Sequence, residues 1–191
     1  MSILDEPIIL SAICDEPEGH IKRSVRQMIL TPENLKRFWK ESCKFKTLFS
    51  TEIKNDFHEF LNVFLTMSPD GVSVIPRGLF WVIDDFVGMF YMTDIVVTID
   101  AKIHYSFFDR RHKGRLELGK AMLQMAFSKY GFRRLSTEIP CYATKHANQF
   151  AESLGFQREG RKRKAALFEG TWFDVIQYGI LPEELENGKS N

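Results

Sequence analysis

The sequence predicts one mixed domain of class α/β (α+β). Three observations carry this: strand-like runs follow one another between Leu79 and Phe108, a helical period spans Arg115 to Tyr130, and the remaining chain completes a β-α-β-α-β-β order. With 191 residues, 44% hydrophobic and 13% aromatic, the chain is long enough for one domain with a full core and too short for two domains. No repeat or Pro/Gly/Ser-rich linker divides it, and residues 1–191 are taken as a single domain.

In chain order, a short strand is expected near Ile8 to Ile13. Thr31-Pro32-Glu33 starts a helix, because Thr caps free N–H groups and Pro at the first helical position loses no bond; Leu35, Phe38 and Trp39 then share a face. A second helix starts at Ser50 and carries Ile53, Phe57, Phe60, Leu61 and Phe64 as one apolar stripe, read as core packing. The turn signals Pro69-Asp70-Gly71 and Pro76-Arg77-Gly78 introduce the sheet. Leu79 to Ile83 and Phe86 to Thr93 read as a hairpin around Asp84-Asp85, followed by strands at Ile95 to Ile99 and Lys102 to Phe108. In the last of these, Ile103, Tyr105 and Phe107 alternate with Lys102, His104 and Ser106. The helix from Arg115 buries Leu118, Met122 and Met125 and stops at Gly131. A strand at Leu135 to Ile139, a helix at Lys145 to Ser153 closed by Gly155, and two strands around Gly170 complete the order. Trp172, Phe168 and Phe173 read as packing, and Glu183 to Asn191 as a frayed tail.

A formal net charge of +1 argues against bulk electrostatic binding of nucleic acid. Cys14, Cys43 and Cys141 lack metal-ligand spacing and are odd in number, so neither a metal site nor a disulfide framework is expected, and a reduced, cytoplasmic setting fits. No apolar run reaches the ~20 residues of a membrane span, and Met1 to Gly19 lacks a signal-peptide pattern.

The chemistry is expected where the strand ending at Phe108 meets the helix beginning near Arg115. A helix N-terminus offers unpaired N–H groups and partial positive charge to an anion. Gly114 lets the backbone approach without a Cβ, and Arg110, Arg111, Lys113 and Arg115 add positive charge.

Arg111-His112-Lys113-Gly114-Arg115-Leu116 resembles the (Gln/Arg)-x-x-Gly-x-(Gly/Ala) loop of the GNAT superfamily of N-acetyltransferases, with Leu116 in place of the final small residue. Leu154-Gly155-Phe156-Gln157-Arg158-Glu159-Gly160, Gly170-Thr171-Trp172-Phe173-Asp174 and Tyr178-Gly179-Ile180-Leu181 are similar to the ribosomal-protein N-terminal acetyltransferase branch. The likeness covers about Leu79 to Leu181. It implies a mostly antiparallel sheet with a V-shaped splay between two central strands and helices on both faces. The implied organisation is a cofactor-binding core over residues 79–181 and a variable helical acceptor-side region over 1–70, with 183–191 as a tail.

The resemblance further implies acetyl-CoA as cofactor and transfer of acetyl to an amine by direct attack. The coenzyme A pyrophosphate would lie on main-chain N–H groups of about His112 to Glu117, Leu116 among them, and the pantetheine along Phe107 and Phe108, with a main-chain N–H near Phe107 polarising the acetyl carbonyl. Thr144 stands where the family often has Asn, with Asn148 one turn on, and Ala151 stands where many members have a catalytic Tyr. Tyr142 is then a candidate acid for the leaving thiolate, and His104 and Glu138 are candidate bases.

A site without a strong base favours an α-amine over lysine, since about a tenth of an α-amine but under a thousandth of lysine is neutral at pH 7. The partner is thus an amine on a protein or small molecule, and the chain a monomer or homodimer. Two alternatives stand beside this: a non-catalytic scaffold, motivated by Leu116, Thr144 and Ala151, and a nucleobase-modifying enzyme, drawing on Arg161 to Lys164. That basic run also reads as protection of a sheet edge.

Overall fold

The computed structural model describes residues 8–11, 22–109, 113–143 and 145–187. It begins with β1 (Ile8–Ser11) and β2 (Lys22–Gln27), then α1 (Pro32–Cys43), α2 (Thr51–Asn55) and α3 (Phe57–Phe64). A small hairpin, β3 (Leu65–Met67) with β4 (Val74–Pro76), leads to β5 (Gly78–Ile83), β6 (Gly88–Val96) and β7 (Asp100–Phe107). The rest is α4 (Arg115–Tyr130), β8 (Arg134–Pro140), α5 (Lys145–Ser153), β9 (Gln157–Phe168), β10 (Thr171–Ile180) and α6 (Pro182–Asn187). The main sheet has eight strands in the order β1-β2-β5-β6-β7-β8-β10-β9. Every neighbouring pair is antiparallel except β7 with β8.

Alternation along each strand sends side chains to two cores. Trp81, Ile83, Phe90, Met92, Ala101 and Ile103 face α4, whose Leu118, Met122, Leu123 and Ala126 are fully buried. On the opposite face Phe80, Val82, Met89 and Tyr91 meet α1 and α3. Phe38 centres that second core, with ring centroids 5.2 Å from Phe60 and Phe64 and 6.0 Å from Tyr91. Helices therefore cover both faces, as the resemblance implies.

The predicted helices over Arg115–Tyr130 and Lys145–Ser153 form as read, and Gly131 ends the first with φ 66°. Elsewhere the sequence reading needs correction. The stripe from Ser50 is two helices, because Asp56 leaves helical geometry (φ −128°) and caps α3 through His58 N–H at 2.7 Å. β2 is an additional strand. The Asp84-Asp85 turn extends through Val87, with Asp84 and Phe86 at positive φ. Ile95 to Ile99 is no separate strand: β6 ends at Val96, and a tight turn follows in which Ile99 N–H donates to Val96 O (2.9 Å). Trp172 is 58% exposed, because residues 171–173 pair only with β9 and the ladder to β8 begins at Val175. Residues 182–187 form a helix rather than a tail: Glu184 Oε2 accepts from Leu181 N–H (2.8 Å), and Leu185 is buried in the α4-side core. Among the described residues no helix is long and apolar enough to cross a membrane.

Candidate active site

β7 and β8 pair over only three positions, Asp100 to Lys102 against Arg134 to Ser136, although β7 continues to Phe107 and β8 to Pro140. Beyond Lys102 the strands part, β7 staying with β6 and β8 with β10. Main-chain direction in the gap follows from register. Phe108 N–H donates to Val87 O (2.8 Å), so alternation turns the main chains of Ser106 and His104 toward β6 and those of Tyr105 and Phe107 toward the gap. On the other wall Cys141 N–H donates to Asp174 O (2.8 Å), which turns Glu138 and Pro140 main chains into the gap. The splay is thus an open slot with strand-type donors and acceptors on both sides.

A cavity of about 550 Å³ fills this slot, walled by Ile103 to Phe107, Thr137 to Pro140, Tyr142 and the α5 residues His146, Ala147, Phe150 and Ala151. Its apolar wall is braced by edge-to-face contacts of Phe150 with Tyr105 and Phe107, both at 5.7 Å. A second cavity of about 450 Å³ lies on the α3 side, and both cavities include Leu48, Tyr91, His104, Glu138 and Pro140. The slot therefore connects the two faces of the sheet.

At the mouth on the α4 side, Gly114 is the N-cap residue in left-handed geometry (φ 75°, ψ 22°), and no side chain caps the helix. The first-turn N–H groups of Arg115, Leu116 and Glu117 precede the helix's first internal bond, Leu118 N–H to Gly114 O. Arg115 borders the cavity, its Nη2 donating to Asp109 O (2.9 Å) and its guanidinium 5.6 Å from the Phe107 ring. Leu116 packs into the α4-side core, so its bulk is turned inward from the uncapped helix start. Lys113 is exposed. Arg110, Arg111, His112 and Thr144 lie outside the described residues.

Two cofactor-binding candidates have partners within the protein. Phe108 spends its N–H on Val87, and its ring packs with Phe38 and Phe45 in the helical core, because it continues the face of β7 opposite Phe107. Asn148 Oδ1 accepts from the Tyr178 hydroxyl (3.0 Å); α5 turns that position toward β10 and gives His146, Ala147 and Phe150 to the cavity.

The candidate bases are present in the slot but are weak ones. The His104 ring is stacked on Tyr91, its Nε2 is 2.9 Å from Thr93 Oγ1, and burial pushes its pKa down to about 4. Burial would raise the Glu138 carboxyl, but ion pairs with Lys162 and with Lys102 (3.4 Å) outweigh it and hold the pKa below the ordinary range. Lys102 also pairs with Asp94 (2.7 Å). Tyr142 borders the cavity, its ring stacked on Phe168 (centroids 4.4 Å, planes 16° apart) and edge-on to Phe173. In the basic run on edge strand β9, Arg161 pairs with Asp174 and Lys162 with Glu138, so these charges tie the edge to its neighbours.

Sequence reasoning did not find Thr47 and Leu48, which border the larger cavity from the loop between α1 and α2. That loop is held by Lys54 Nζ on Lys46 O (2.5 Å) and by Trp39 Nε1 on Lys54 O (3.2 Å). No local signal marks such residues, since only the tertiary fold brings them to the sheet. His146 was also missed, although its place on α5 one turn before Phe150 could have suggested it.

Comparison with known proteins agrees with this geometry. Among solved structures, mutant forms of the spermidine/spermine N-acetyltransferase SpeG from Vibrio cholerae superpose with a TM-score of 0.64 at 14% identity, over 87% of this chain and 98% of theirs. A chimera of SpeG from Vibrio cholerae and hSSAT gives 0.62 at 17% identity, over 85% and 98%. A probable acetyltransferase gives 0.58 at 17% identity, over 85% and 94%. These likenesses establish the fold. No curated protein matches the chain by sequence. The family model described as an acetyltransferase (GNAT) domain matches residues 79–176, which contain the splay, the uncapped helix, β9 and the first part of β10. The chain therefore belongs to the GNAT family of acetyltransferases.

Proposed function

We propose that the chain transfers an acetyl group from acetyl-CoA to a neutral amine by direct attack in a ternary complex, the donor entering on the α4–α5 side and the acceptor on the α1–α3 side. The observation that carries this is the slot between β7 and β8, open to both faces and lying beside an uncapped helix N-terminus. The residues fit coenzyme A. Gly114 leaves the cradle without a Cβ, Leu116 is withdrawn into the core, and Tyr105 and Phe107 turn main-chain groups into the slot.

When bound, acetyl-CoA supplies an activated thioester. The N–H groups at the start of α4 would hold the pyrophosphate, with positive charge from Arg115 nearby. The Phe107 N–H, turned into the slot, would donate to the acetyl carbonyl of a bound donor, a contribution typically of about 3 kcal/mol. Most of the acceleration comes from fixing amine and thioester together. Tyr142 would give its proton to the departing thiolate and regain one through solvent from the nitrogen, which loses a proton as the amide forms. The ternary arrangement needs no strong base if the amine arrives neutral, which suits the weak basicity of His104 and Glu138. It also favours an α-amine, with pKa near 8, over a lysine near 10.4. Asp94 and Glu138 on the acceptor side are neutralised by Lys102 and Lys162, so that side offers little excess negative charge to a polyamine.

The test is an acetyl-CoA thiol-release assay with peptides bearing a free α-amine, lysine peptides with blocked N-termini, and spermidine. Turnover greatest with free α-amines is expected. Turnover with no amine, together with absence of acetyl-CoA binding, would leave the scaffold reading in its place.

A further inference from the structure

The charged side chains that border the α3-side cavity are Arg77, Asp94, Lys102 and Glu138. The last three form a chain of ion pairs that ends on Lys162: Asp94 with Lys102 (2.7 Å), Lys102 with Glu138 (3.4 Å), and Glu138 with Lys162. His104, its pKa lowered to about 4, adds no charge at neutral pH. Arg77 stands outside this chain, and among the described residues no carboxylate lies within ion-pair distance of it. The carboxylates of Asp94 and Glu138 thus face Lys102, Lys162 and Arg77, and the excess charge on this side is positive.

Arg77 is also held in place. It follows the β3–β4 hairpin and directly precedes β5. Its main-chain N–H donates to Phe64 O (2.8 Å) and its Nε to Leu65 O (2.9 Å), where α3 passes into β3. The Nη donors remain uncommitted, and a planar guanidinium already fixed through Nε is suited to a carboxylate, which it meets with two parallel N–H groups.

Register gives the distance to the slot. Gly78, next to Arg77, pairs with Thr93, and Tyr91 pairs with Phe80 on one side and His104 on the other. Arg77 therefore lies two strands across and three residues along from His104, roughly 10 Å in each direction at about 4.8 Å between strands and about 3.4 Å per residue. A carboxylate on Arg77 is too far from an amine in the slot to belong to the same amino acid, and fits a residue a few positions along an extended chain. Leu48, Val63 and Phe64 line the same cavity and give the intervening residues apolar surface.

We propose that Arg77 selects acceptors in which a free α-amine is followed, a few residues on, by an acidic side chain: the amine enters the slot and the carboxylate seats on the Arg77 guanidinium across the α3-side cavity. The inference rests on the transfer reaction proposed above and names its class of acceptor, an acidic N-terminal peptide segment.

The probes are a peptide with a free α-amine and glutamate at its third to fifth residues, the same peptide with glutamine there, and one with lysine there. With the wild-type protein, kcat/KM for the glutamate peptide is expected to exceed that for the glutamine peptide by about tenfold, the difference lying in KM, with the lysine peptide lowest. In Arg77→Gln the difference disappears, and in Arg77→Glu the lysine peptide becomes the best, each variant being first shown to be folded by thermal unfolding. A wild type that does not distinguish glutamate from glutamine overturns the proposal, as does a folded Arg77→Gln that keeps the preference; should neither variant fold, the wild-type ranking decides. Calorimetry of the same peptides with protein saturated by free coenzyme A separates this proposal from the reaction it rests on. Glutamate-selective binding without turnover of any acceptor would remove the transfer reading and keep the Arg77 site, whereas turnover without selectivity would do the reverse. A glutamate peptide that is neither bound nor acetylated overturns the Arg77 site.

Discussion

The His104 imidazole lies flat on the Tyr91 ring, with centroids 4.5 Å apart and planes 7° from parallel, and the two residues stand directly opposite each other in the β6–β7 ladder. This pairing covers one face of the His104 ring, whose edge borders the slot. Burial lowers its pKa to about 4, so the ring is neutral at physiological pH.

One consequence is a defined pH dependence of stability. The unfolded chain binds a proton at His104 near pH 6.5, the folded chain only near 4, so stability rises with pH across that window and is lost as pH falls through it. The carboxylates with lowered pKa, Asp94 and Glu138 among them, act mainly at lower pH, so the interval from 7 to 4.5 isolates the histidine. Urea unfolding at these two pH values is expected to differ by about 2 to 3 kcal/mol more in the wild type than in His104→Gln. Equal differences would show that His104 titrates normally.

Tyr142 is fixed by its ring, stacked at 4.4 Å on Phe168, so Tyr142→Phe removes the hydroxyl and keeps the packing. If that hydroxyl protonates the thiolate, kcat falls by about 100-fold with acetyl-CoA affinity unchanged. Stopped-flow turnover with calorimetric affinity checks both quantities. A fully active variant would mean that the thiolate leaves without Tyr142.

Asn148 Oδ1 accepts from the Tyr178 hydroxyl (3.0 Å) and so links α5 to β10. Asn148→Ala is expected to leave acetyl-CoA affinity unchanged and to lower stability by about 1 kcal/mol, the Tyr178 hydroxyl keeping Glu152 Oε1 (3.1 Å) as an acceptor. Calorimetry and thermal unfolding of the same sample test both.

The parts of the fold legible in sequence are those where period and punctuation agree. Gly131 and Gly170 each take positive φ at the turn their positions announce, and α4 shows its buried Leu118 and Met122 in plain helical spacing. Asp56 was hidden because the apolar stripe Ile53, Phe57, Phe60 continues across the break, so period alone could not reveal that the chain leaves helical geometry there. β2 was hidden because Lys22 to Gln27 offers only Val25 as an apolar residue, and its pairing with β5 supplies what its sequence lacks. In the site, the slot residues of β7 were readable from alternation, and the uncapped start of α4 from Gly114. Leu48 was not, because its place at the cavity depends on which elements pack together.

The central claim is that the start of α4 and the adjoining slot bind acetyl-CoA. Isothermal titration calorimetry of the wild-type protein and of Gly114→Glu, each first shown to be folded by thermal unfolding, tests it directly. The account predicts micromolar binding of acetyl-CoA and of free coenzyme A by the wild type, and none by the variant, whose side chain brings bulk and negative charge to the cradle. Absence of binding by the folded wild type, or equal binding by a folded variant, would contradict it.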